Sequence, residues 1–161
     1  MTTSETSLIR NGTLAGIVGG LAIAAVGMTL SALRGTGFWS LPNGIAGIAV
    51  GPDAGATREF GVVTLEGVAL HMILSALFGI VTLFAIRRLT KEYMLTGVVA
   101  GLVLWVINYY AIGSFIPGAH ALAELNPVWM GGMLHALFGA VTGITAKRLE
   151  SPLAYMTKTA A

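Results

Sequence analysis

Residues 61–86 read GVVTLEGVALHMILSALFGIVTLFAI, an unbroken apolar run in which Glu66 is the one formally charged side chain. A bilayer-spanning helix needs roughly 20 mostly apolar residues in succession. This run exceeds that length, enough to tilt or to protrude. Three more runs meet the requirement, at residues 13–33, 93–115 and 127–146. Mean hydropathy is +0.82, and charged residues make up 10% of the chain, against about 25% in a soluble domain. A chain of 161 residues cannot bury so much apolar surface in a water-facing fold, so lipid must cover much of it. The expected fold class is therefore all-α: a polytopic membrane protein of four transmembrane helices, forming one membrane domain over residues 1–161.

Positive charges flank the runs unevenly. Arg10, Arg87, Arg88, Lys91, Lys147, Arg148 and Lys158 fall on one side, and only Arg34 and Arg58 on the other. The positive-inside rule then places both termini in the cytoplasm. The first run is longer than the h-region of a cleaved signal peptide, so it is expected to be retained. Cysteine is absent, which removes disulfides and thiolate chemistry. No basic run with interleaved aromatics points to nucleic acid.

Two pairs of runs resemble one another. LAGIVGGL at 14–21 aligns with LTGVVAGL at 95–102, matching Gly16 to Gly97 and Gly20 to Gly101. SALFGIVT at 75–82 aligns with HALFGAVT at 135–142, matching Gly79 to Gly139. The pattern is that of a duplicated helical hairpin, repeat one over 12–88 and repeat two over 93–148. The copies are parallel, because each hairpin starts and ends on the same side. Glycines recur every fourth residue: Gly12, Gly16 and Gly20 in the first run; Gly67 and Gly79, flanking His71 and Ser75, in the second; Gly97 and Gly101 in the third; Gly131, Gly139 and Gly143, with His135, in the fourth. Such stripes let helix backbones approach closely in lipid. No phosphate-binding glycine loop is present.

Ionisable groups inside a bilayer are costly, about 2.5–3.5 kcal/mol for a charge at a helix centre. Glu66, His71, Ser75, Asn108, Tyr109 and His135 therefore form the candidate intramembrane polar cluster, in the outer half or near the midplane. The inner half carries only small hydroxyls such as Thr82 and Thr142. The two histidines lie on equivalent glycine stripes, so a contact of His71 with His135, or of His135 with Ser75, is open to them. Three readings follow: neutral imidazoles bonding across helices, a proton- or ion-handling site, or haem b held by His71 and His135. Glu66 and His71 are five apart and point about 140° from each other, so Glu66 could instead snorkel or face another subunit. No third ligand accompanies the histidines, and no metal is expected.

The first outer loop holds Trp39, Pro42 and an apolar segment that ends at Gly51-Pro52. Pro42 suits a first helical turn, predicting a helix of about nine residues, either interfacial or re-entrant. Trp39 and Trp129 are expected interface anchors. In the second outer loop His120 and Glu124 share one face of a short helix, read as solvated.

With these residues placed, the chain resembles a group of small bacterial four-helix membrane proteins of unassigned function. The resemblance spans residues 12–148. It is carried by Trp39 with Pro42; His71, Ser75 and Gly79; Arg87-Arg88; Asn108-Tyr109-Tyr110; Phe115 with Pro117; Asn126, Trp129, His135 and Phe138-Gly139. It implies residence in a bacterial inner membrane and supplies no ligand or catalytic residues. A sodium:proline symporter label sometimes borne by such proteins does not suit four spans, because symporter sites use broken helices from two large repeats. An accessory or assembly subunit of a larger membrane complex is the leading expectation, with other membrane subunits or copies of itself as partners. A small homo-oligomeric channel or transporter comes next, then a haem- or quinone-linked electron carrier. No nucleophile–base pair, carboxylate pair or metal signature appears, so no enzyme is expected.

Overall fold

The structure, a computed structural model, describes residues 3–89 and 92–151. Lys91 and Lys158, two of the flanking cations, lie outside the described residues. Helix α1 is Thr3–Leu33, α2 is Ser40–Val50 and α3 is Val62–Leu89. Helix α4 is Tyr93–Phe115, α5 is Pro117–Leu125 and α6 is Val128–Glu150. A 3-10 turn, Pro52–Ala56, follows α2. No strand occurs among the described residues. Helices α1, α3, α4 and α6 are long and apolar enough to cross a membrane, which makes this an integral membrane protein.

Three spans start within a residue of the expected position, but α1 starts ten residues earlier than the apolar run. Its first turns are polar, yet nothing in them breaks a helix. Ser7 and Asn11 turn inward to bond other helices, so tertiary contacts hold what hydropathy does not. At the far end α1 stops at Gly35, φ +75°. There Thr36 N–H donates to Ser31 O and Gly35 N–H to Ala32 O, each at 3.0 Å. This 6→1 and 5→2 pairing closes a helix on a left-handed residue, which glycine adopts without steric strain.

The spans form an up-down-up-down bundle. Helix α3 packs along α1, and α6 along α4; α1 and α6 also lie against each other, while α3 and α4 touch more sparsely. Glycine makes both hairpin crossings. A Cβ on Gly79 would strike Gly12 O and Gly16 Cα, and a Cβ on Gly139 would strike Gly97 O. Between the hairpins, Gly19 of α1 lies under Phe138 and Thr142 of α6, and Gly27 lies under Leu41 and Leu134. Ala15, Leu83 and Ala146 are fully buried where α1, α3 and α6 meet. With no hydrophobic force between helices in lipid, this close packing holds the bundle.

The loop end of the bundle is capped. Helix α2 is slightly longer than expected and packs against α3 and α5. Its Pro42 carbonyl sits on Gly67 of α3, and its Gly47 backbone meets Gly118 of α5. Asn43 is fully buried. It donates to Thr57 O at 2.7 Å and Glu59 O at 3.1 Å, and accepts from the Thr64 hydroxyl at 2.7 Å. That hydroxyl also accepts Gly61 N–H at 3.1 Å. One side chain thus binds the connecting loop to the first turn of α3.

Candidate functional site

The polar residues of the spans divide into three places, and they do not form one cluster. The first is the α1–α3 crossing. Ser75 is buried against Gly20, and His71 Nε2 lies 3.0 Å from Gly20 O. A carbonyl can only accept, so Nε2 carries the proton and donates. The bond ties α3 to α1 and fills the outward half of the glycine crossing.

The second place lies between α4 and α6. His135 Nδ1 is 2.9 Å from Gly131 O in its own preceding turn, so Nδ1 carries the proton. Nε2 is then left as an acceptor, and Asn108 Nδ2 donates to it at 3.3 Å. Neutral imidazole satisfies both bonds at once. Around it, Gly131 and Gly132 lie under the Trp105 ring. Trp105 and Tyr109 have ring centroids 6.0 Å apart, and the Tyr109 hydroxyl donates to Ala123 O of α5 at 3.1 Å. Trp105 Nε1 is buried with no hydrogen-bond partner. No hydrogen bond joins His71 to His135, nor His135 to Ser75. Both imidazoles are engaged with helix backbone.

At Asn108 and Tyr109 α4 departs from a regular helix. Residues Ile107–Ile112 form a π turn, and Gly113 N–H bonds back to Asn108 O. Asn108, seven residues after Gly101, shares the face that Gly97 and Gly101 turn to α6, and the wider turn follows it. The sequence reading expected an unbroken helix; a π turn has no sequence signal comparable to proline or glycine.

Glu66 stands apart. It is exposed on the flank of α3, with no hydrogen bond or ion pair among the described residues. The angular separation from His71 read in the sequence is realised in the fold, and the structure does not bring Glu66 to the histidines.

The third place was missed. At the termini end, Arg87 pairs with Glu150 and also donates to Ser4 O at 3.1 Å and Ser7 Oγ at 3.0 Å. Tyr93 OH donates to the other Glu150 oxygen at 2.9 Å, and Asn11 bonds Glu150 as well. The knot draws on α1, α3, α4 and α6. In the sequence Arg87 serves as a topology signal and a mark of the family resemblance, and the inner half shows only small hydroxyls. The available clue was an acid, Glu150, two residues after the basic Lys147-Arg148.

The remaining expected residues fall as follows. Gly20 and Gly131 pack against side chains, whereas Gly97, Gly101 and Gly143 pack against the backbone of Gly139, His135 and Tyr93. Trp39 stacks edge-on with Phe38 and Phe60 at 4.8 and 5.0 Å, and Trp129 is exposed. His120 Nε2 and Glu124 Oε1 are 3.4 Å apart on α5, both well exposed. The larger of the two clearest cavities, about 290 Å³, lies at the loop end between Gly44, Gly55 and Leu122. The other, beside Ser31 and Leu41, is tiny. Neither is lined by His71, Asn108 or His135. No group of three or more His, Cys, Asp or Glu suited to a metal occurs among the described residues. Comparison with family models, with curated proteins and with solved structures finds no match to this chain.

Proposed function

We propose that this chain is an accessory or assembly subunit of a larger membrane complex, inserted in a bacterial inner membrane with both termini in the cytoplasm. The observation that carries the reading is the interior closed by glycine. At both hairpin crossings backbone meets backbone, and the clearest cavities stay at the loop end, away from the histidines. A channel or transporter needs a polar path lined by such residues. A packed bundle with apolar flanks needs only neighbours in the lipid. The orientation is supported by Arg10, Arg87, Arg88, Lys147 and Arg148, which gather at the termini end, while Arg34 and Arg58 are at the loop end.

The same reading takes the two hairpins as copies of one ancestor. In support, Gly16 meets Gly79 and Gly97 meets Gly139, while Gly20 meets Ser75 and Gly101 meets His135. These are the pairs that the two sequence alignments superpose.

The test is purification at native abundance in mild detergent, with mass spectrometry of everything that accompanies the chain. A fixed set of larger membrane proteins is the expected result. A chain recovered alone, or only as a homo-oligomer, would overturn the reading in favour of a self-sufficient channel built around Glu66, His71, Asn108 and His135.

A further inference from the structure

We propose that the α3 flank around Glu66 docks a transmembrane helix of a different protein, through a lysine or arginine of that helix held at the depth of Glu66. The inference rests on the subunit reading and names the chemistry of the partner.

Exposed apolar residues on a span need no explanation, since lipid covers them. Glu66 does. It lies four residues into α3, roughly 6 Å along the axis, and six residues, roughly 9 Å, beyond Phe60. Phe60 pairs with Trp39, and such aromatics mark the headgroup level. The side chain is exposed among Val62 (72%), Leu65 (57%) and Ile73 (59%), on a stripe that continues through Ala69 and Leu77. No described residue bonds to it. The positive end of the helix dipole fades within the first turn, and Glu66 is already past it. An anion so placed calls for a cation from outside the chain.

A second copy carries no cation within its spans. Residues 13–33, 62–86, 93–115 and 128–146 contain neither lysine nor arginine. At the loop end, Arg34 is bonded to Asn126 and Met130, and Arg58 to Gly35 O. The other described cations sit at the opposite end of the bundle. Two copies facing each other through α3 in one membrane would set Glu66 against Glu66, with like charges at close range. A cation set within a span at the depth of Glu66 therefore belongs to another protein.

The experiment compares wild type, Glu66→Gln and Glu66→Lys as full chains at native abundance, with co-purifying proteins quantified and thermal unfolding checked in parallel. The expected result is a partner with a lysine or arginine within a span. Its yield should fall roughly tenfold or more with Glu66→Lys, at unchanged unfolding temperature. It should recover when the partner's cation is replaced by glutamate. Glu66→Gln should give a smaller loss and guards against an effect of the introduced lysine alone. A partner whose yield ignores Glu66→Lys overturns this inference and leaves the subunit reading standing. So does a loss that charge reversal does not rescue. The chain has no cysteine, so Ile73→Cys reports the same face, and disulfide-linked pairs of this chain as the dominant product would also overturn it. A wild-type chain that brings no partner at all overturns both readings.

Discussion

The two hairpins cross in the same way and use their polar residues differently. In α1–α3 the backbones touch at Gly16 and Gly79, and the imidazole reaches across to the other helix, His71 to Gly20 O. In α4–α6 they touch at Gly97 and Gly139, but the imidazole turns back on its own helix, His135 to Gly131 O. There the tie across is an amide from Asn108, at the start of the π turn in α4. Small residues set how closely two helices lie and leave open how a polar group between them is satisfied. That second choice is made locally, by whichever donor or acceptor the crossing brings near.

The comparison can be broken most directly at the glycines. Gly79→Leu and Gly139→Leu should each destabilise the bundle by about 3 kcal/mol or more, since the new side chain meets backbone that has nowhere to go. Unfolding in detergent would measure it, and a large loss in one hairpin only would end the claim that the crossings are equivalent.

Next in size is the knot that joins the hairpins. Arg87 and Glu150 are 26% and 15% exposed, so removing one partner is expected to cost about 2 kcal/mol, below the range for fully buried pairs. A double-mutant cycle of Arg87→Ala with Glu150→Ala should return a coupling of about 1 kcal/mol or more. A coupling near zero would mean that Ser4, Ser7 and Tyr93 hold the ends without the ion pair.

The histidines should then differ from each other. His71→Leu removes a bond between helices and should cost about 1 kcal/mol. His135→Leu removes one bond within its helix and a longer one across, and should cost about 0.5 kcal/mol. A reversed order in the same unfolding assay would show that the Asn108 tie matters more than its 3.3 Å length implies. The smallest effect, and one of opposite sign, belongs to Thr82 and Thr142. They occupy matching positions in the two alignments, are fully buried, and have hydroxyls with no partner. Thr82→Val and Thr142→Val should each be neutral or stabilising, by up to about 1 kcal/mol. A loss at either would reveal a hydrogen bond made by that hydroxyl.

Much of the fold was legible in advance. The four spans came from hydropathy and charge, though not the early start of α1; the close crossings came from glycine every fourth residue, and the capping helix from Pro42 and Gly51. The candidate site was only half legible. His71, Ser75, Asn108, Tyr109 and His135 could be singled out by type and depth, but their partners could not. Helix periodicity fixes side-chain directions relative to one another within a helix, and says nothing of how that helix is rotated against its neighbours. The Asn43–Thr64 clasp was missed for a related reason: an asparagine just after Pro42 reads as loop chemistry until α3 is placed beside it.

The sequence by itself determined that this chain is helical and lives in lipid. Backbone groups in a bilayer must be satisfied within the segment, so length and hydropathy leave one answer. It also determined where the helices approach closely, because only glycine and other small residues permit it. The tertiary structure alone decided which polar groups meet. Arg87 found Glu150, 63 residues away, and Glu66 found no partner among the described residues. Each outcome depends on the rotation of a whole helix about its axis, which is set by packing summed over many neighbours.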